Sequence, residues 1–557
     1  KANIADVDFY YGGLVGKPYS ETGTGILWLN GNKCLANGII EDENGNLVVN
    51  SLDSLEEALK TAGAAGAGNT TIVFAENTNI NRTNAEWTPI KVDGYNGADI
   101  VTIEGNGAVI TGLTAPLFAG GFAGGSGIII KDLTIKDSAI VSANTIGSGA
   151  FIESVDSMAK IELTNCHLLN STVTGGAGSR TGGLIGWTAG YNNQNDGPVK
   201  TYVTIDGCSV VGCTITCDGS VGGINGHAGN NAWTYTTIQN CTVKDNTLAS
   251  TDDGGWRVGV VVGTANVGEL TINNITESGN ELTQTGKTAP VGFMRNLYGR
   301  AVLGETGKLT IDGYKYVSEG QFEDATGNKF VASAEGLNTA INNATADINI
   351  VFLNDITGDV EISKAVNING NGKTYTGAMT LKADVTIKNM NFDGKGYNGY
   401  AITTRGANYL TIEDCTAENY GYGFVQLASG TALTTVKNVV VSNMNYGVKV
   451  DYSNAVVIEN ATINVGVAAV LNSNYGEKTI TIKNSNLNIL GTWTRNNTTK
   501  TNYVFEGNNS IDTFKIDATI DNFKLAGGAT LTAPNEITVT TDDGYTVVYA
   551  DGKYAAN

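Results

Sequence analysis

The phrase ValThrIleLysAsn at 385–389 recurs four more times in the second half of the sequence, as LeuThrIleGluAsp at 410–414, ThrThrValLysAsn at 434–438, ValValIleGluAsn at 456–460 and IleThrIleLysAsn at 480–484. The central apolar residues are 25, 24, 22 and 24 residues apart. Apolar and polar residues alternate within each copy, and this period of 2 indicates a strand with one buried face. Each copy ends in Asn or Asp, which tolerate left-handed backbone geometry, so the ends are predicted to form one stacked corner.

A period of 22–25 residues with several short strands is typical of a parallel β-helix, where each stretch buries its inward residues on the next one. We therefore predict an all-β fold, a right-handed parallel β-helix or solenoid. Its core should contain one stack of residues, namely Ile387, Ile412, Val436, Ile458 and Ile482.

The first half carries the same phrase at wider spacings of 27, 33, 42, 33, 34 and 39 residues. Its central residues are Ile103, Ile130, Leu163, Ile205, Ile238, Ile272 and Ile311. Glycine-flanked apolar strands lie between the copies, such as GlyGlyLeuIleGly at 182–186, GlyGlyIleAsnGly at 222–226 and GlyPheMetArgAsn at 292–296. The additional residues are predicted to form loops, which is where binding usually resides on a rigid scaffold.

The two halves resemble duplicates at an offset of 282 residues. Two amphipathic stretches correspond at this offset: Ser51, Leu55, Ala58 and Leu59 match Ser333, Leu337, Ala340 and Ile341. Both are predicted to be helices that cap the open end of a β-helix. We thus predict two tandem units, each with an N-terminal capping helix. The predicted divisions are an unassigned N-terminal segment at 1–40, a first β-helix with long loops at 41–317, a second β-helix at 318–520 and a C-terminal cap or hairpin at 521–557.

Composition excludes several classes of protein. The chain of 557 residues has 73 Gly and 6 Pro, with 41% hydrophobic residues, which is unlike collagen or a disordered chain. A net charge of −20 disfavours nucleic acid as a partner. The seven Cys show no CxxC spacing, and Cys166, Cys208, Cys241 and Cys415 share one place in the repeat, where we expect buried, stacked side chains.

Location is also constrained by the sequence. No run of about 18 apolar residues exists, so no membrane-spanning segment is predicted. The chain opens at Lys1 with a polar segment, so no signal peptide is predicted within this sequence. The predicted fold class favours an extracellular or cell-surface protein.

The helix, the ThrIle-x-AsnCys phrase and the 22–25-residue period together resemble the pectate-lyase-like superfamily of right-handed β-helices, over about residues 41–515. The GlyGlyLeuIleGly strands resemble the GLUG repeats of bacterial surface proteins. The acidic sequence, rich in Asn, Thr and Gly, is similar to cell-surface proteins of Bacteroidetes. The superfamily includes polysaccharide lyases and hydrolases, so catalysis must be judged from the residues.

Residues for such catalysis are not found in the expected patterns. The resemblance would imply AsnThrAsp and ArgIleLys motifs in a hydrolase, and neither occurs in this sequence. His167 and His227 are the only two His, which leaves little for His-based metal or nucleophilic sites. We predict no catalytic residue, no metal ligand and no cofactor; calcium stays open, although no motif indicates it.

Aromatic residues cluster in the excursions of the first half, close to the glycine-flanked strands. We predict that they form a glycan platform with neighbouring polar residues, because exposed rings can stack against sugar faces. Its members are Trp187, Tyr191, His227, Trp233, Trp256, Asp252, Asp253 and Arg257. Two other interpretations stand beside this one. The rings can instead pack the loops, and the turn with Asp252 and Arg257 can be an ordinary ion-paired turn.

Three functions remain after these arguments. The favoured one is a non-catalytic adhesion or glycan-binding protein whose partner is an extracellular glycan or a host surface component. The first alternative is a polysaccharide lyase or glycoside hydrolase with a non-standard site. The second is a structural stalk, which the short, uniform repeats of the second half would suit better than the looped first half.

Overall fold

The structure of the protein is a computed structural model. It describes residues 27–29, 32–35, 39–62, 68–91, 99–120, 126–156, 158–193, 197–290, 294, 296–304, 306–344, 347–430, 432–453, 455–473, 476–492, 499–515, 521–534 and 537–557. Most of the predicted N-terminal segment and most of the strand predicted at 292–296 therefore lie outside the described residues. The chain divides into two compact units, Lys1–Lys315 and Tyr316–Asn557.

The described residues form an all-β protein with largely parallel sheets and two short helices. Each strand pairs mainly with the strand at the same place in the preceding and following repeats. We call the stretch between two such equivalent core residues a coil. The strands fall into rows of equivalent positions along the coils, and the two units are described separately below.

The first row of unit 1 is parallel throughout. Its strands are Leu47–Val49, Thr70–Phe74, Ile100–Thr111, Gly127–Lys136, Lys160–Thr164, Thr201–Asp206, Asn225–Gln239, Val262–Asn273 and Lys308–Ile311. The seven predicted core residues from Ile103 to Ile311 are partners in this row, and all seven are buried. The alignment of the first half, with its irregular spacings, is therefore confirmed.

Three further rows complete the coils of unit 1. The second row contains His167–Leu169, Ser209–Val211, Thr242–Lys244 and Thr276–Ser278. The third contains Ala139–Val141, Thr172–Thr174, Thr214–Cys217, Thr247–Ser250 and Glu281–Gln284. The fourth contains Gly147–Ser148, Arg180–Gly182, Ser220–Gly222 and Val258–Gly259.

Each fourth-row strand turns directly into a strand that continues the main sheet, and we call such a pair a glycine arch. The returning strands are Ile152–Asp156, Ile185–Ala189, Asn225–Gln239 and Val262–Asn273. Glycines permit a backbone approach that no side chain would allow. A Cβ atom on Gly226 would lie 2.5 Å from the Thr181 nitrogen and 2.6 Å from the Arg180 carbonyl carbon. This close approach explains why the predicted strands are flanked by glycine.

Unit 2 has more regular coils and three parallel rows. Its first row is Ile348–Phe352, Val366–Asn369, Val385–Lys388, Tyr409–Glu413, Leu433–Lys437, Ala455–Glu459, Gly476–Lys483, Thr499–Glu506, Asn522–Leu525 and Val539–Thr541. The second row begins Ile356–Thr357, Thr374–Thr376, Asn391–Asp393, Thr416–Glu418, Val440–Ser442 and Thr462–Asn464, and continues through Asn486–Thr492, Asn508–Lys515 and Thr530–Thr532. The third row is Val360–Ile362, Met379–Leu381, Tyr400–Thr404, Gly423–Leu427, Tyr446–Val450 and Ala468–Asn472. An antiparallel hairpin of Val547–Ala550 and Lys553–Ala556 follows.

The predicted core stack of unit 2 is confirmed. Ile387, Ile412, Val436, Ile458 and Ile482 are paired in this order, and each is 0% exposed. The predicted corner is confirmed as well, since the Asn or Asp that ends each phrase has a φ between 47° and 55°. Side-chain amides link successive corners. Asn438 donates to Asp414 at 2.8 Å, and Asn460 donates to Asn438 at 3.1 Å.

Beside this corner, the outer face of the first row carries a charge ladder. The residues that follow the core residues are paired in the order Lys388, Glu413, Lys437, Glu459, Lys483 and Glu506. The Nζ atom of Lys388 lies 2.7 Å from a carboxylate oxygen of Glu413, and that of Lys437 lies 3.7 Å from the other oxygen. Opposite charges thus alternate along the outer face.

Both predicted helices form, Leu52–Ala62 in unit 1 and Ala334–Asn342 in unit 2. Each buries its apolar positions, including Leu55 and Leu59 in the first and Leu337 and Ile341 in the second. The Ser333 side chain caps the second helix by accepting a hydrogen bond from the Gly336 nitrogen at 3.0 Å. Neither of these described helices is long and apolar enough to cross a membrane.

The cysteines behave as buried small residues. All seven are free thiols inside the protein. Cys166, Cys208 and Cys241 lie on successive coils, and the Cys166 backbone nitrogen donates to the Cys208 sulfur at 3.4 Å. Hydrogen bonding to the cysteine of the preceding coil, together with burial, raises the pKa of Cys208 and of Cys241 far above the ordinary value, so these side chains stay protonated.

Candidate functional site

Two residues of the predicted platform, Trp187 and His227, lie side by side on the returning strands of neighbouring glycine arches. They are paired in register, so the sequence alignment placed them correctly on adjacent coils. Both are buried, with 9% and 8% exposure. The four-stranded fourth row packs against this position, and the Trp187 Cβ would be 2.8 Å from a Cβ on Gly147. These two rings therefore pack the arches, as the alternative interpretation expected, and offer no face to solvent.

His227 lies in a strongly basic environment. Burial and the positive charges of Arg180, Arg257 and Arg300 lower the pKa of His227 to about 3. Neither ring nitrogen has a hydrogen-bond partner. The imidazole is consequently neutral at physiological pH, and protonating it would place an uncompensated charge in the arches.

The predicted polar turn forms beside these arches. Arg257 and Asp252 make an ion pair of 2.8 Å, and the Asp252 side chain is 15% exposed. The Asp252 carboxylate also accepts a hydrogen bond from the Gly254 nitrogen at 2.7 Å. Asp253 is exposed, while Trp256 is half-buried and donates its indole N–H to the Val258 carbonyl at 2.7 Å. The interpretation of Asp252 and Arg257 as an ion-paired turn is confirmed.

The remaining two predicted members are Tyr191 and Trp233. Tyr191 begins the strand Tyr191–Asn193, but its side chain lies outside the described residues. Trp233 is half-buried on the long strand Asn225–Gln239, two residues before Tyr235. Since side chains two residues apart on a strand share a face, Trp233 and Tyr235 project from the same side of the sheet.

A partly exposed aromatic pair lies on that side of the sheet. Tyr202 is paired in register with Tyr235, and their rings stack with centroids 5.2 Å apart and planes 21° from parallel. Tyr202 is 50% exposed. The ammonium of Lys200 lies 5.7 Å from the centre of the Tyr235 ring, within range of a cation–π contact. We call Tyr202, Trp233, Tyr235 and Lys200 the tyrosine platform.

Charged residues continue the same register at both ends of the tyrosine platform. Lys160 pairs with Tyr202 on one side, and Glu269 pairs with Tyr235 on the other. Lys160 forms an ion pair with Glu162 at 3.0 Å. The surface therefore combines flat rings with hydrogen-bonding groups of both signs, a composition suited to a polar ligand that has one apolar face.

Sequence reasoning missed Tyr202, Arg180 and Arg300. A signal for Tyr202 was present, because Tyr202 and Tyr235 each stand three residues before a core residue of the repeat, Ile205 and Ile238. The two arginines carry no such signal, since their approach to His227 depends on how tightly the arches pack. Among the described residues, no three His, Cys, Asp or Glu side chains lie together as a metal ion would require.

Comparisons with known proteins do not show a family for this chain. No family model matches the sequence, and no curated protein does. Among solved structures, the crystal structure of PfbA, a surface adhesin of Streptococcus pneumoniae, matches with 11% identity and a TM-score of 0.19, over 90% of this chain and 94% of that chain. At that TM-score the likeness supports no conclusion about the function of this chain.

Proposed function

We propose that the protein is a non-catalytic, cell-surface or extracellular β-helix protein that binds a glycan through the tyrosine platform of unit 1. The observation that carries this proposal is the stacked pair of Tyr202, which is exposed, and Tyr235, which is half-buried. In this stacked pair each ring turns one face toward the other, and the outer ring faces and edges are left as an apolar surface. The apolar face of a sugar can lie against such a surface while its hydroxyl groups reach polar side chains.

The scaffold in this proposal is a right-handed parallel β-helix in two tandem units, each capped by its helix. Within each unit, the parallel pairing of successive described coils supports it, and so does the burial of the apolar faces of Leu52–Ala62 and Ala334–Asn342. The resemblance to the pectate-lyase-like superfamily and to GLUG repeats belongs to the same proposal. The glycine-dependent packing of the arches supports this part of the proposal.

The residues predicted from sequence have two different places in the proposed site. Trp233 belongs to the platform itself, while Asp253 and Trp256 are accessible to solvent on a neighbouring turn. Trp187, His227 and the pair of Asp252 and Arg257 support the arches from inside. Tyr191 stays a proposed member, because it follows Trp187 and lies on the same coil.

The proposed partner is an extracellular glycan, on a host surface or elsewhere outside a bacterial cell. Rigid presentation favours this role, since both rings stand on sheet strands and not on loops. Binding would then cost little conformational entropy on the protein side. No calcium or other cofactor is required by the proposal.

A glycan array tests the proposed function directly. The full chain should bind at least one glycan, and the double variant Tyr202→Ala/Tyr235→Ala should lose about tenfold or more in affinity, as the loss of stacking contacts predicts. Tyr409→Ala is the matched control, because Tyr409 is 55% exposed in unit 2 and outside the platform. An equal loss of binding in both variants would contradict the platform.

The enzymatic alternative needs its own assay. Incubation with pectin, polygalacturonate or alginate, with and without calcium, should release no product above a buffer control. Depolymerisation that is abolished by changing a carboxylate or arginine of unit 1, such as Asp253→Asn, would overturn the non-catalytic proposal.

A further inference from the structure

Unit 2 contains a second group of stacked tyrosines, which the repeat analysis did not single out. The rings of Tyr400 and Tyr422 have centroids 6.0 Å apart with planes 25° from parallel, and those of Tyr400 and Tyr446 are 6.4 Å and 27° apart. Tyr422 is 48% exposed, and the other two are half-buried. Three rings thus form one partly exposed aromatic surface on the third row of strands.

Gly423 makes this arrangement sterically possible. It is paired in register with Tyr400 on one side and Tyr446 on the other, so the two tyrosines lie two coils apart. Strands two apart are separated by about 9.6 Å, yet the two rings are 6.4 Å apart and therefore lean over the glycine. A Cβ on Gly423 would lie 2.8 Å from Tyr400 Cε1 and 3.0 Å from Tyr446 Cβ.

Hydrogen-bonding side chains lie on the strands Gly423–Leu427 and Tyr446–Val450 or directly after the second of them. Gln426 pairs in register with Lys449, and its amide donates to the Asp451 carboxylate at 2.8 Å. The Lys449 ammonium lies 3.5 Å from the other oxygen of Asp451. Burial raises the pKa of Tyr400, and the nearby Tyr446, Asp451 and Tyr422 add to that rise. The phenol of Tyr400 therefore remains a hydrogen-bond donor at physiological pH.

We propose that Tyr400, Tyr422 and Tyr446, with Gln426, Lys449 and Asp451, form a second glycan-binding site that takes a neutral pyranose unit. The inference rests on the proposed glycan-binding function and adds a site in the other unit. The exposed ring of Tyr422 supplies a surface for the apolar face of the sugar, and the Gln426 amide and Lys449 ammonium supply partners for its hydroxyl groups. The buried Asp451 carboxylate holds these two side chains in place.

A neutral sugar is favoured over an acidic one for electrostatic reasons. The only ammonium in the group is already paired with Asp451, so no uncompensated cation in this group of six faces an incoming carboxylate. The chain also carries a net charge of −20, which repels polyanionic glycans.

The test is a titration of the full chain with cellohexaose, mannohexaose and N-acetylchitohexaose, from which the binding affinity is measured. Polygalacturonate is the acidic comparator. In the background Tyr202→Ala/Tyr235→Ala, Tyr422→Ala should weaken the remaining binding of a neutral oligosaccharide by about tenfold. Tyr422→Phe keeps the ring and should stay within about threefold of its parent. Tyr409→Ala, with similar exposure in the same unit, should have no effect. Melting temperatures should be unchanged in all three.

The outcomes separate this inference from the proposed function. If binding disappears in Tyr202→Ala/Tyr235→Ala and is unchanged in Tyr422→Ala alone, the second site is overturned and the platform of unit 1 stands. If Tyr422→Ala alone removes all binding, the second site stands and the platform of unit 1 is overturned. Binding of polygalacturonate alone would overturn the neutral-sugar assignment, and a chain that binds none of the probes or arrayed glycans would overturn both.

Discussion

The two units share one pattern of core residues but use different lengths of chain per coil. In unit 2 the core residues recur every 22–25 residues, and the outer face of the first row is neutralised by alternating Lys and Glu. In unit 1 the spacings reach 42 residues, and the additional chain forms the glycine arches. At the platform of unit 1, the outer face carries Tyr202 and Tyr235.

This difference teaches that the core and the outer face are under separate constraints. Ile205 and Ile238 of unit 1 are as deeply buried as Ile412 and Val436 of unit 2, so the inward stack is equally well packed in both units. The residues that differ are the outward ones and the arches. Function should therefore be sought where the two units diverge. Four predictions test this comparison.

The largest expected effect comes from placing a charge in the shared core. Val436→Asp buries a carboxylate at a position that is 0% exposed, and it should reduce the free energy of unfolding by about 3–5 kcal/mol. Thr435→Asp is the control, because the neighbouring residue points to the opposite face. Urea denaturation followed by circular dichroism measures both. Similar midpoints for the two variants would break the alignment of the coils.

A second effect is expected only in unit 1, where the arches depend on glycine. Gly226→Ala should destabilise the protein by about 3 kcal/mol, because the new methyl group would meet backbone atoms of Arg180 and Thr181. Gly255→Ala is the control, as no atom lies within 4 Å of its Cβ position. The thermal midpoints of the two variants should differ clearly. Equal midpoints would mean that the backbone around Gly226 can accept a methyl group, and that the arches do not require glycine at this position.

The third prediction concerns acid stability and again distinguishes unit 1. His227 has a folded pKa of about 3, below the value of about 6.5 in an unfolded chain. A lowered His pKa contributes stability that is present above pH 6.5 and is lost as the pH falls toward 3. Between pH 7 and pH 4.5 this loss should be about 2–3 kcal/mol.

His227→Gln should therefore show a flatter dependence of stability on pH than the parent protein. Chemical denaturation at a series of pH values between 4.5 and 7 measures the slope. His167→Gln is the comparison variant: burial also lowers the pKa of the half-buried His167, but its ring nitrogens contact Ser209 and Asn165, so the slope should change less than in His227→Gln. An unchanged slope in His227→Gln would show that the buried imidazole does not set the acid limit.

The smallest effect is expected from the charge ladder of unit 2. Glu413→Gln removes the carboxylate between Lys388 and Lys437 and should cost less than about 1 kcal/mol, because both lysines are exposed and Glu413 is partly exposed, so solvent screens the pairs. The loss should shrink further at 1 M salt, where surface charges are screened. A loss of several kcal/mol that persists in salt would mean that the ladder is a principal source of stability.

The repeat made the core predictable from sequence, and local chemistry made the corners predictable. Ile387 to Ile482 could be aligned because every coil must bury the same position, and Asn438 or Asp414 marks a left-handed turn in any context. Burial of Trp187 and His227 could not be derived in this way. It depends on the close approach of glycine backbones from another row, which has no periodic signal in the sequence.

The tyrosines of unit 2 illustrate the same limit. Tyr400 and Tyr446 are 46 residues apart in sequence and come together only because Gly423 leaves the intervening coil without a side chain. They lie outside the long loops of unit 1, where the aromatic platform was predicted. Aligning the coils by register first, and then reading each outward row for aromatic residues, would have found both groups.

The charge ladder has a consequence for how this protein can change its length during evolution. Loss of the coil that carries Glu413 would bring Lys388 next to Lys437, whereas loss of two consecutive coils would restore an opposite-charge neighbour. Insertions and deletions in this region should therefore survive more often in pairs of coils. The reach of the unit would then change in steps of about 9.6 Å rather than 4.8 Å.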